Sequence, residues 1–335
     1  MKVSPTCGSG DDRCREVGYG QRLLTVKRFA YAGFSLGLLS FVVLLSRQGV
    51  GEIAAAIAVA GWQVFVVALF HLLPILANTL GWQTLFPPSA GPTFARLLYS
   101  RWIGEAVKAQ LVTGKQCGGD QAIASIFADL TVGLFAQTAF TFLGLILLAN
   151  YFGDNGHAGV LFVSAAIALL LFGGFYVVQR LGALSKVAGK LENLFEGGDA
   201  WMRLSGGAKK TDMALNAIYR RHAEVFVSGM WRMLGWLAGV GEVWLAFYFM
   251  QQQVDFTQAF VLESLGQAVR AAAFFVPGAL GVQEGGLVLL GAMVGISPEA
   301  ALALSLIKRV RELTLGLPAL IIWRWRARKK DYDTP

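Results

Sequence analysis

The chain has 335 residues, of which 55% are Ala, aliphatic, aromatic, Met or Cys and only 15% are charged, with a formal net charge of +8. A soluble domain wears a polar coat of about 25% charged residues. The composition therefore excludes a soluble enzyme, a disordered chain and a disulfide-stapled module, and points to a polytopic membrane protein.

The charge distribution agrees. No Asp, Glu, Lys or Arg occurs from Ile53 to Ala95, from Leu130 to Gly153 or from Asn155 to Gln179. Residues 1–28 form a basic segment, and the apolar stretch Phe29–Leu45 reads as a retained first span. A second span is expected over 53–77, leaving through Asn78, Gly81 and Pro87–Pro88. Residues 94–121 are helical in pattern but too charged to face lipid, and read as interfacial or re-entrant. Spans follow at 122–149 and 158–179. The basic connection 180–221 holds eight Lys or Arg and is the one large extramembrane segment. Further spans are expected at 223–250, 257–276, 286–307 and 312–326, before a basic tail over 328–335.

The fold expected is all-α and polytopic, with about eight transmembrane helices and broken or re-entrant segments. The positive-inside rule puts both termini and the 180–221 loop in the cytosol, with 29–327 as the membrane domain. Clustered basic residues thus mark topology, and no nucleic-acid partner is implied. Trp62, Trp82, Trp102, Tyr151, Trp231 and Trp323 lie near expected boundaries, as an aromatic belt would. Gly235-x-x-x-Gly239 and Gly291-x-x-x-Gly295 suit close helix packing. The cysteines Cys7, Cys14 and Cys117 are odd in number and lack ligand spacing, so free thiols and no metal are expected. His71, His157 and His222 are isolated and read as packing or interfacial residues.

Ionisable residues inside spans are costly and mark function. Four groups qualify. Arg101, Glu105 and Lys108 share one helical face and either pair among themselves at the interface or line a path. Glu263, Gln267 and Arg270 share another face within an apolar segment, which a bundle interior or watery cavity would accommodate. Phe274–Gly286, FFVPGALGVQEGG, breaks two apolar stretches at Pro277-Gly278 and leaves Gln283 and Glu284 at the start of the next helix. Broken helices of this kind mark binding sites in transporters, and Glu284 is expected to pair with Arg270 or with the cluster that follows. That cluster is Lys308, Arg309, Arg311 and Glu312, in which Lys308 and Glu312 are spaced to pair. It falls on the outer side of an eight-span layout, so either it lines an internal polar path or the span count is off by one.

A weak inverted repeat connects these groups. DLTVGL from Asp129 resembles ELTLGL from Glu312, and each follows a Gly/Glu motif, Gly104-Glu105 or Glu284-Gly285. There is no phosphate-loop motif, no G-x-S-x-G elbow and no H-E-x-x-H, so no ATPase, nucleotide or other cofactor is expected.

RWIGEAVKAQL, ASIFADLTVGL and above all FFVPGALGVQEGGLVLLGAMVGISPEAALALSLIKRVRELTLGLPAL resemble the lysylphosphatidylglycerol-synthase transmembrane-region family, also described as flippase-like. The resemblance spans roughly residues 25–327. Asn78–Pro87 and the Gln of VQEGG fit the branch of membrane proteins associated with hopanoid biosynthesis. The resemblance implies a bacterial inner-membrane protein that handles lipids, hopanoid or phospholipid, with hopanoid-biosynthesis enzymes as candidate partners. Larger relatives add a cytosolic aminoacyl-transferase domain, which this sequence lacks, so that activity does not carry over. The stretch between Ala106 and Asp129 is shorter than the family pattern leads one to expect. Three functions follow as expectations: a lipid translocator without its own ATPase, a lipid-modifying enzyme with Glu105 or Glu284 as general base, and a scaffold for hopanoid enzymes.

Overall fold

The computed structural model describes residues 50–87, 91–103, 118–152, 174, 176–177, 179–182, 199–273, 276 and 279–332. The N-terminal segment 1–28, the span at 29–45 and most of the span at 158–179 lie outside them. Among the described residues there is no strand, and besides helical residues at 174, 176–177 and 179–180 they bound ten helices. They are α1 (Val50–Ala60), α2 (Gln63–Phe70), α3 (Leu72–Thr84), α4 (Phe94–Ile103), α5 (Gly119–Phe152), α6 (Asp199–Arg220), α7 (His222–Phe249), α8 (Phe256–Ala272), α9 (Val282–Met293) and α10 (Pro298–Tyr332).

Two stretches among the described residues are long and apolar enough to cross a membrane, Gln63–Thr84 and Gly119–Asn150. The first corrects the expected span 53–77. The chain turns at Gly61, where φ is +51°, and the crossing begins after it. Pro74 does not end that crossing. It lies in the first turn of α3, where a missing N–H costs no helical bond, so the helix continues past Asn78 to Thr84.

The C-terminal third departs further from expectation. Asp255 caps α8 through its carboxylate and the Gln258 amide, and Gln258 Nε2 also donates to the Val294 carbonyl at 2.7 Å. The start of α8 is thereby tied to the end of α9. With 12 residues, α9 is about 18 Å long, short of the ~30 Å hydrocarbon layer. The outer ends of the two helices therefore meet, and the expected break at Pro277-Gly278 lies outside the described residues. The chain then turns at Gly295, with φ +79°, and α10 runs unbroken for 35 residues. The separate spans at 286–307 and 312–326 are therefore replaced by one short and one long helix. The charged cluster 308–312, which the sequence suggests as a boundary, sits inside α10.

Packing organises around α7, which contacts α3, α5 and α8, while α9 lies between α8 and α10. One apolar core joins Phe140, Phe247, Leu262, Leu287 and Leu304. A second gathers Trp82, Leu97, Leu215 and Tyr219 where α6 covers α5. Trp82 is fully buried and donates to Ser125 Oγ at 3.3 Å, so it belongs to this core and not to an aromatic belt. Trp62, by contrast, is largely exposed.

A charged cavity between the helices

The polar face of α8 points inward as its spacing suggests, and it meets α10. Glu263 is buried and accepts from Lys308 Nζ at 2.5 Å and from Gln267 Nε2 at 2.9 Å. Arg270 donates to Glu312 Oε1 at 2.7 Å, and Arg309 donates to the other oxygen of Glu312 at 3.1 Å. Arg311 donates to Glu242 of α7, whose second oxygen meets His71 Nδ1 at 2.6 Å. Lys308 and Glu312 thus pair across helices and not with each other. The reason is geometric: each finds an oppositely charged partner on α8, Lys308 the buried Glu263 and Glu312 the partly open Arg270.

These side chains surround a cavity of about 400 Å³, lined by His71, Asn78, Arg101, Trp102, Trp236, Glu263, Gln267, Arg270, Arg311 and Glu312. The Gly235-x-x-x-Gly239 motif makes room for it. A Cβ on Gly235 would stand 2.9 Å from Asn78 Oδ1, and one on Gly239 would stand 3.0 Å from Glu263 Oε1. The motif therefore admits polar side chains between helices. The indole N–H of Trp236 is buried without a hydrogen-bond partner, although its ring stacks on Phe140 at 5.6 Å.

A second ionic cluster closes the α4 side. Asp129 of α5 accepts from Arg101 at 2.8 Å and pairs with Arg232 of α7 at 2.5 Å. The Arg101 guanidinium also lies 5.3 Å above the Trp82 ring. Asp129 and Glu312, the first residues of the two similar hexapeptides, are thus each clamped by arginines, Asp129 by two and Glu312 by Arg270 and Arg309 with Arg311 at 3.9 Å. Trp102 donates to the Leu315 carbonyl at 3.0 Å and links the two clamps; it is not a belt residue.

Glu284 lies elsewhere. It is 0% exposed and accepts from the Gly281 amide at 2.7 Å, from Ser305 at 3.2 Å and from Arg309 at 2.9 Å. It caps α9 and bolts it to α10, while Arg270, the other expected partner, goes to Glu312. Gln283 is buried beside it with its side-chain oxygen unpartnered. Neither lines the cavity. Glu105, Lys108, Pro277 and Gly278 lie outside the described residues.

Sequence reasoning missed Glu242, Arg232 and the role of His71. One signal was available: Glu242 is the lone charge between Arg232 and Asp255. His71 offers no local signal, since its partner is 171 residues away. The cations Arg101, Arg232, Arg270, Lys308, Arg309 and Arg311 face the carboxylates Asp129, Glu242, Glu263, Glu284 and Glu312. Among the described residues the network carries one more cation than carboxylate. Chemically, a network with a surplus cation can take up an anion by an exchange of partners.

No curated protein and no solved structure matches the chain. The model of the lysylphosphatidylglycerol synthase TM region matches residues 30–319. That range includes every residue lining the cavity and most of the chain. The chain belongs to the lysylphosphatidylglycerol synthase TM-region family, membrane proteins whose membrane domain is associated with lipid chemistry.

Proposed function

We propose that the protein is a translocator of polar lipids in the bacterial inner membrane, without an ATPase of its own, and that the cavity receives the headgroup while the tails stay in the bilayer. The carrying observation is the Arg270–Glu312 pair. Its side chains are 37% and 30% exposed, whereas Glu263, Lys308, Glu242 and Arg311 are all closed off. It is the half-open member of a sealed network. An anionic headgroup can replace Glu312 on Arg270 because Arg309 still holds Glu312. Arginine suits this role through its planar fork, and the Trp236 N–H offers a further donor.

The two arginine-clamped carboxylates support an inverted repeat, in which the Asp129 and Glu312 halves exchange accessibility. Basic residues at both ends and in 180–221 support cytosolic termini. Within polar lipids, the Asn78–Pro87 and Gln283 resemblance keeps a hopanoid beside an anionic phospholipid as substrate, with hopanoid-biosynthesis enzymes as partners, and Asn78 lines the cavity. The enzyme reading gains less support. The Glu284 oxygens are held by Gly281, Ser305 and Arg309, which leaves no lone general base there.

The test is proteoliposome reconstitution with a fluorescent phosphatidylglycerol and a hydroxylated-head analogue. Arg270→Gln should abolish translocation of the anionic lipid while unfolding temperature stays near that of the parent. Full translocation by Arg270→Gln would overturn the reading.

A further inference from the structure

A second cavity lies further along the same helices. It measures about 530 Å³ and is lined by Gln63 of α2, Trp244, Tyr248 and Phe249 of α7, and Gln251, Gln252 and Gln253 of the following loop, with Val59 and Val254. Its size falls in the ~300–1,000 Å³ range of ligand pockets. The nearest α7 residues of the two cavities, Gly239 and Trp244, are five residues apart, about 7.5 Å along the helix, and no residue lines both. By the positive-inside assignment this one opens at the outer face.

Its chemistry differs from the first. No charged residue lines it. Four carboxamides do, and each amide both donates and accepts hydrogen bonds, as does a hydroxyl. Trp244 and Tyr248 stand one turn apart, with rings stacked at 5.7 Å and 21°. They are 41% and 62% exposed. An exposed aromatic face beside amide groups accepts the C–H face of a sugar or polyol while the amides take its hydroxyls. Gln251 adds a strained backbone. Its φ is +55°, at the end of α7, where glycine is the relaxed choice. The strain holds an amide in the cavity wall. Asp255, the nearest carboxylate in sequence, is engaged in capping α8 through the Gln258 amide.

We propose that this cavity is a binding site for the uncharged, polyhydroxylated headgroup of a lipid, independent of the charged cavity. The lipid source is argued from the surroundings: Val59, Trp62, Phe65 and Phe256 nearby in the chain are apolar residues at least half exposed, which suit acyl chains and not water.

The experiment is native mass spectrometry of the full chain released from nanodiscs holding monoglucosyl-diacylglycerol, phosphatidylglycerol and phosphatidylcholine with matched tails. The glucosyl lipid should be retained over phosphatidylcholine. Trp244→Leu should lower its retention about two- to tenfold, the worth of one aromatic contact, and Gln252→Ala should lower it further. Both positions are exposed, so folding is expected to persist. Phosphatidylglycerol retention should not change in either variant. Arg270→Gln should give the reverse pattern, so failure of the charged-cavity reading shows in a different lipid. Equal retention of the glucosyl lipid and phosphatidylcholine would overturn the proposal. So would unchanged retention in Trp244→Leu, or displacement of the glucosyl lipid by an equal concentration of free glucose.

Discussion

The two cavities share α7 yet are built from opposite materials. The inner one is walled by charges, and its outer neighbour by amides and aromatics. On the proposed topology, depth accounts for the difference. An unpaired charge within the hydrocarbon layer is severely penalised, so each inner cation is matched in advance, and the proposed ligand would enter by exchange. At the rim, water and headgroups already solvate polar atoms. Neutral amides can stay without partners there, and Trp244 and Tyr248 can remain exposed. The lesson concerns cost: in the inner cavity, structure and binding use the same groups, whereas in the outer one they are nearly separable.

Removing one partner of a sealed pair should separate the two cavities most sharply. Glu242→Leu strands Arg311 and His71. A loss of about 3–5 kcal/mol is expected, seen as a large drop in unfolding temperature and yield. Adding Arg311→Leu should recover much of it, because two apolar residues replace a desolvated pair. Trp244→Leu should leave the unfolding temperature unchanged. If Glu242→Leu proves as harmless, the inner network is not load-carrying and the contrast fails.

A smaller effect is expected behind the inner cavity. Gly144 of α5 lies against α8, where a Cβ would stand 2.8 Å from Ser264 Cβ and closer still to its Oγ. Gly144→Ala should cost about 1–3 kcal/mol through overpacking. Ser264→Gly in the same chain should restore part of that, read by thermal unfolding. No rescue would place the cost elsewhere than this contact.

How much of this was legible in the sequence depends on where each partner lay. The inward face of α8 could be read because Glu263, Gln267 and Arg270 repeat at helical spacing in an apolar stretch. The all-helical membrane architecture could be read from charge-free stretches. The course of α10 could not. Lys308–Glu312 looks like a helix end in sequence, and only its partners on α7, α8 and α9 show that it is interior. Glu284 could be placed at a helix start but not assigned a job, since a cap and a ligand contact look alike until Arg309 is seen beside it. The turn that does end α9 was legible in principle: Gly295 precedes Ser297-Pro298.

Arg270 tests the boundary between structure and function within the inner cavity. Its pair with Glu312 is partly open to solvent, so Arg270→Lys should change stability by less than about 1 kcal/mol. Lysine keeps the charge but loses the planar fork, so anionic-lipid translocation should fall partway between the parent and Arg270→Gln. Equal rates for Lys and Arg would mean that charge alone matters.

The smallest expected effect is a gain, at the rim of the outer cavity. Gln251 adopts a left-handed backbone, with its amide donating to the Tyr248 carbonyl at 3.0 Å and the Gln252 amide reaching back to Phe247 at 3.0 Å. Side chains other than Gly, Asn and Asp meet steric resistance there. Gln251→Gly relieves it but adds freedom to the unfolded chain. The two effects oppose each other, so a net stabilisation below about 1 kcal/mol is expected. The helix-ending bonds are made by backbone and survive the change. If stability rises while retention of the glucosyl lipid falls, the strain serves the amide in the cavity wall. If stability rises and retention is untouched, Gln251 is merely tolerated at the turn, and the site must rest on Gln63, Gln252 and Gln253 with the two rings. A fall in stability would show that the glutamine side chain supports the turn itself, which its exposure argues against.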